Sequence, residues 1–273
     1  MLQSGKPGAQ ESRANNFFEE RKFLFEVKHI DEFFERFNDD KNSFIRRNIG
    51  KYYPGIKINR ISLLNTLFDK DNKIITIHDK KQFVKTVSDY SHPYYLSFYD
   101  RGWYAELTCL FYYSGQTVPA IINMRISTDS SLGSKWMISS IHCEKVKKYT
   151  GESGIPQPAN PGIFLSPVSH TTNFIGLVRA FEDKVNIRAY LEDDFLKDTA
   201  SLSFLHAWMN DEMSFQYVKS VQYYFFQVPG WTFKVGSCMK EKSVNTGWLI
   251  TGLQRTEKSE KEKIGIVPDD HDQ

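Results

Sequence analysis

The chain holds only three cysteines, Cys109, Cys143 and Cys238, and none stands at CxxC spacing. An odd, scattered set argues against a disulfide framework and a thiolate zinc site. The seven histidines include no HxxxH or HExxH pair, and His142 and Cys143, adjacent on a predicted strand, point to opposite faces. No metal site is expected. GxGxxG, GxxxxGK[ST] and GxSxG are all missing, so a nucleotide loop and a hydrolase nucleophile have no support and no cofactor is expected. Neither sign of charge dominates: 35 basic residues face 33 acidic ones for a net charge of +2. No overall field steers a polyanion here, which argues against a nucleic-acid partner. Arg46-Arg47 and Lys145, Lys147, Lys148 are short clusters and read as solvated faces. Met1 to Asn16 is a polar leader without the apolar run of a signal peptide, and no apolar span of membrane length occurs, which favours a cytoplasmic protein.

Aromatic residues are plentiful, with 21 Phe and 14 Tyr, and they require deep cores or a lined pocket. Two hexads stand out, Trp136-Met-Ile-Ser-Ser-Ile141 and Trp248-Leu-Ile-Thr-Gly-Leu253. Each follows a Gly/Ser/Asn turn cluster, Ser130 to Ser134 and Ser243 to Gly247, and each reads as a strand. Alternation places Trp136, Ile138, Ser140 and His142 on one face, with Trp248, Ile250, Gly252 and Gln254 in the matching positions.

The same doubling appears among the helices. Phe23, Val27, Ile30, Phe34 and Phe37 form one apolar stripe, and Phe174, Val178, Phe181 and Val185 repeat its spacing. Between stripe and strands the first half predicts helices over Ser43 to Ile49 and Ile61 to Phe68, a breaker at Tyr53-Pro54-Gly55, a short strand over Ile74 to His78 and a helix capped by Asp79. Trp103, Ala105, Leu107, Cys109 and Phe111 then alternate with Tyr104, Glu106 and Thr108, and Val118 to Ile126 alternate likewise. The second half predicts helix over Leu202 to Met209 and strands over Phe215 to Val228, Trp231 to Met239 and Trp248 to Gln254. Thr150 to Pro167 carries four of the ten prolines and three of the sixteen glycines, a composition for a linker. The expected organisation is a leader (1–16), a first domain (17–149), the linker (150–167), a second domain (168–257) and a tail (258–273), with both domains folding independently.

Helices followed by long antiparallel strands, ending in a Trp-aliphatic strand, resemble the nuclear-transport-factor-2-like superfamily of cystatin-like α+β cones. The resemblance covers roughly Phe17 to Lys148 and Ser166 to Glu257, and the two closing hexads resemble its W-x-I-x-x-[IL] final strand. It implies two tandem cones of α+β class, each a curved antiparallel sheet packed on N-terminal helices. The extra Ser43 to Asp79 segment departs from that pattern and affects the wall of the first cone. Members include ketosteroid isomerases, dehydratases, epoxide hydrolases, transport adaptors and scaffold domains of bacterial secretion machines.

An enzyme of this kind needs a carboxylate or imidazole base in the cone and an acid donor beside it. His142 and Glu106 are the candidate catalytic residues, and Tyr104 is the donor nearest Glu106 in sequence. The alternation aims Tyr104 and Glu106 away from the more apolar face, towards solvent. The leading expectation is therefore a non-enzymatic scaffold that binds a protein partner or a small apolar ligand. An isomerase, dehydratase or hydrolase acting on a small apolar molecule in the first cone is the alternative, and oligomeric state is left open.

Overall fold

The computed structural model describes residues 18–129, 133–151, 157–160 and 162–256. The leader and the tail from residue 257 lie outside the described residues, as does part of the expected linker. The protein is α+β, with helices preceding a run of strands in each half of the sequence. It divides into two compact units that do not follow those halves: residues 1–96 with 233–255 form one, and residues 97–232 with 256–273 form the other. The boundary expected at 150–167 thus falls inside the second unit.

In the second unit β1 (Trp103–Tyr113), β2 (Gln116–Asp129) and β3 (Gly133–His142) make an antiparallel meander, and β4 (Met213–Phe225) pairs on the free side of β1. Trp103, Ala105, Leu107, Cys109 and Phe111 are all buried, as the two-residue period predicts. Against this face lie a 3-10 turn (Pro167–Thr172), α6 (Leu177–Glu182) and α7 (Thr199–Met209), the last capped by the Asp198 side chain accepting from Ser201 N. Phe111 meets Phe181 and Phe204 edge-on at 5.2 and 4.9 Å, while Trp136 meets Phe174 at 5.0 Å. The Trp136 indole N–H donates to Pro167 O at 2.9 Å, so its polar atom is satisfied within the core. The expected second helical stripe is not continuous. Asn173 and Phe174 take left-handed backbone (φ 49° and 56°), which interrupts the turn and lets Phe174 bury completely, while Val185 stays exposed. Such a conformation costs roughly 1–2 kcal/mol for a residue with a side chain, which the burial of a phenyl ring offsets.

The face assignment on β3 also needs correction. The β2–β3 register shifts between Asn123 and Met124, pairing Asn123 with Ser140 but Met124 with Ile138, so Ser139 is an extra residue. A bulge reverses the parity of everything after it. Ile141 therefore takes the core face begun by Trp136 and Ile138, and Ser140 and His142 move to the opposite one.

The first unit contains α1 (described from residue 18 to 25), α2 (Ile30–Phe37), α3 (Phe44–Tyr52), α4 (Arg60–Thr66), α5 (Ile77–Val87) and the strands β5 (Trp231–Cys238) and β6 (Gly247–Arg255), which it enters partway along β5. Phe37 stacks on Phe233 at 5.9 Å and Phe83 meets the same ring at 5.3 Å. The predicted single helix from Phe23 to Phe37 is two helices, because residues 26–29 leave the helix and Val27 pairs with β6 instead. The break leaves α1 carbonyls without helical partners. Arg36, almost wholly buried, donates to Phe25 O (2.7 Å) and Glu26 O (3.2 Å) and so fills that gap; burial lowers its guanidinium to about 10. The strand expected over Ile74 to His78 is absent: Thr76, not Asp79, caps α5, accepting from Asp79 N at 3.0 Å.

The two closing strands have matching outer edges. Trp136 N donates to Leu165 O (3.0 Å), and Ile138 O accepts from Glu192 N (2.9 Å). On β6, Trp248 N donates to Val27 O (2.8 Å), and Ile250 O accepts from Asp69 N (3.2 Å). Trp136 matches Trp248 and Ile138 matches Ile250, the pairing that the hexads predict. In both cases the covering segment comes from the other half of the sequence. Segments of the first half cover the last strand of the second, and segments of the second cover the last strand of the first. Gly247 permits the Val27 contact, since at φ +94° a Cβ there would stand 2.1 Å from Val27 O.

Two outcomes follow from this exchange. Fragments 1–152 and 162–273 should each lack a cooperative melt alone, and an equimolar mixture should regain one by circular dichroism; independent melting of both would contradict the exchange. Gly247→Ala, combining a left-handed backbone with a backbone clash, should lower unfolding free energy by about 2–4 kcal/mol in urea titration.

Candidate functional site

The face of the second unit's sheet opposite its helices carries the residues singled out as acid–base candidates. The registers align Ser140, Asn123, Glu106 and Gln222 in one row across β3, β2, β1 and β4, with Tyr104 opposite Tyr224 in the next. All are half-buried rather than directed into open solvent, as alternation alone suggested for Tyr104 and Glu106. Tyr104 stacks on Tyr224 at 5.1 Å and on Phe226 at 5.9 Å. The Tyr224 hydroxyl donates to Glu106 Oε1 at 3.3 Å, and Asn123 Nδ2 donates to Ser140 Oγ at 2.9 Å. Burial, reinforced by the Glu106 carboxylate, pushes the Tyr224 phenol up to about 12. A phenol so held keeps its proton at neutral pH and acts as a donor. His142 reaches this face through the Ser139 bulge, but it is exposed at the strand's end and pairs with Ile121, a row beyond Glu106. The face is therefore an aromatic and polar platform with one carboxylate hydrogen-bonded to a tyrosine.

A second feature lies wholly within the helices of the first unit. Ser43 accepts from Arg46 N to start α3, and the helix ends at Tyr53, where Pro54 and Gly55 (φ +88°) turn the chain into an extended run that closes on Asn59. Asn59 and Ser62 form a reciprocal cap that starts α4. Arg46 anchors the run by pairing with Asp39 and donating to Ile58 O. Between α1, the end of α3, this loop and α4 there remains a cavity of about 230 Å³. Its apolar lining is Phe25, Ile49, Tyr53, Ile56, Ile58 and Leu63, of which Ile49 and Leu63 also belong to a buried cluster with Leu24 and Ile45. Arg21 and Lys57 contribute the charged part of the lining, and Ser62 and Thr66 the hydroxyls.

Most of this pocket comes from the Ser43 to Asp79 segment, the extra stretch of the first half. The length difference was visible in the sequence; the hollow was not, because it depends on where the turn at Gly55 sends the following residues. Among the described residues no group of three or more His, Cys, Asp or Glu side chains is placed to hold a metal ion, and no helix is long and apolar enough to cross a membrane. The buried Cys109 thiol is pushed up to about 12 by burial, so it stays neutral and packs as an apolar side chain.

Compared with known proteins, the chain matches no family model, no curated protein and no solved structure.

Beside the sheet, Glu192 lies half-buried, and burial raises its carboxyl above the ordinary range although Arg125 and Arg101 pull the other way. A raised acid stabilises the fold below its unfolded pKa, and that contribution is lost as pH rises through the folded value. Glu192→Gln should accordingly match the wild type in urea stability below about pH 4 and exceed it at pH 7. Equal or lower stability of the variant at pH 7 would mean that the two arginines outweigh burial.

Proposed function

We propose that this protein is a non-enzymatic binding scaffold that takes a small apolar molecule in the pocket between α1, α3 and α4. The observation that carries the reading is the composition of that lining: six apolar or aromatic side chains border the hollow, five of them from the Ser43 to Asp79 segment, which has no counterpart of similar length in the second half. Burial of a ligand there removes apolar surface from water on both partners, at roughly 25 cal/mol per Å². The nuclear-transport-factor-2-like resemblance enters the proposal through element order alone, helices first and a Trp strand last in each half, and with it the idea of two related cones. Its members include binding scaffolds as well as enzymes, and fold does not select between them. A protein partner would use the same exposed rim, where Ile56 and Ile61 are more than half exposed.

The test is calorimetric titration of the full chain with octan-1-ol. Saturable one-to-one binding is expected, weakened at least about tenfold by Ile56→Asp, which puts a carboxylate on the apolar wall at an exposed position that folding does not need. Binding that never saturates, or that is unaffected by the substitution, would overturn the proposal.

A further inference from the structure

We infer that the first unit docks on an anionic lipid surface through the turn before α5 and the outer face of that helix. The inference goes beyond the pocket reading and rests on other residues, those of the 69–85 stretch. Ile74 and Ile77 are 83% and 75% exposed, the highest values of any large aliphatic side chain among the described residues, while Ile75 between them is half-buried. Single exposed apolar residues are common, but two of them three residues apart, both giving almost nothing to the core, call for a partner. The turn that carries them is preformed. Ile74 N donates to Asn72 Oδ1 (2.8 Å), Asn72 Nδ2 donates to Thr251 O on β6, and the Thr76 cap fixes the first turn of α5. Docking therefore needs little ordering of the backbone.

The charges of the same stretch select the partner. Lys70, Lys73, Lys81 and Lys85 are exposed, and Ile77, Lys81 and Lys85 recur every four residues on the outer face of α5. Lys80 is set apart, because it donates to Asn65 O (3.5 Å) and lies 4.7 Å over the Phe68 ring. The aspartates of the stretch are held by the protein itself: Asp69 and Asp71 pair with Lys240, and Asp79 accepts from Thr76 Oγ1 (2.6 Å). Every permanently charged basic residue here is a lysine. That is a compact charge on a long apolar stem, which suits attraction to a charged layer rather than the paired hydrogen bonds by which arginine grips one phosphate. Two exposed isoleucines flanked by lysines match the interface of an anionic bilayer, where the aliphatic groups enter the headgroup–acyl boundary and the ammonium groups stay among the headgroups. Each lysine near such a surface is worth about fivefold in affinity, and the two isoleucines, partly inserted, at least about tenfold together.

The experiment sediments the full chain with phosphatidylcholine vesicles, with and without about one-quarter phosphatidylserine, at low and high salt. The wild type should partition at least about tenfold more strongly onto the phosphatidylserine vesicles, and high salt should remove most of that preference. Ile74→Ser with Ile77→Ser should weaken binding to those vesicles at least about tenfold and leave its salt dependence in place. Lys70→Gln, Lys73→Gln and Lys81→Gln together should abolish the preference for phosphatidylserine. All five positions are exposed, so both variants should melt as the wild type does. Equal binding to both kinds of vesicle, or binding to neither, would overturn the inference. Binding that survives the serine pair would show adsorption by charge alone and would overturn it as well. If the wild type instead self-associates in sedimentation velocity and the serine pair abolishes this, a second copy of the chain occupies the face and the inference falls. Each of these results is independent of octan-1-ol binding, so the pocket reading stands or falls separately.

Discussion

The constraint on which the structure depends is the need of two outer strand edges for backbone partners. An edge strand leaves a row of amide and carbonyl groups unpaired, and burying such groups without partners is costly. Both β3 and β6 carry a buried tryptophan and aliphatic residues, so their edges cannot simply remain wet. Each is met by short backbone contacts, from Leu165 and Glu192 on β3 and from Val27, Leu67 and Asp69 on β6. These contacts explain why α1 and α2 are separate, why Gly247 has no side chain and why each compact unit gathers pieces from both halves of the sequence.

Arg36 shows how the molecule accommodates that demand. Diverting Val27 to β6 leaves helix-end carbonyls in an apolar setting, where only a strong, well-placed donor compensates for their burial. A guanidinium supplies two aligned donors from the next helix. Its Nε is buried without a partner, so the arrangement is a compromise in which one group stays unsatisfied while two carbonyls are served.

Local chemistry was well expressed in the sequence. Ser43 and the Tyr53-Pro54-Gly55 breaker delimit α3, the alternation from Trp103 to Phe111 gives β1 with its buried face, and Leu202 to Met209 lies within α7. What escaped was non-local or decided by a single residue. Val27 fits an apolar helical stripe as well as it fits a bridge, so nothing in its neighbours announces the break. Ser139 and Ser140 are adjacent and alike, so no pattern marks which is the extra residue, yet that choice determines the face of His142. Glu106 was assigned to the less apolar face correctly, but its tyrosine partner lies on β4, more than a hundred residues away. The pocket combines three helices and a loop, and only the unusual length of the Ser43 to Asp79 segment hinted that something was built there.

The pairing of Val27 with Trp248 also governs how the chain matures during synthesis. The first helices leave the ribosome long before the strand that completes them, and at roughly 5–20 residues per second the wait lasts about ten to forty seconds. During that interval Leu24, Val27 and Phe33, all fully buried in the finished protein, have only their own neighbours for cover. Contacts of such long range also slow folding itself. These side chains thus wait for cover from a strand made more than two hundred residues later.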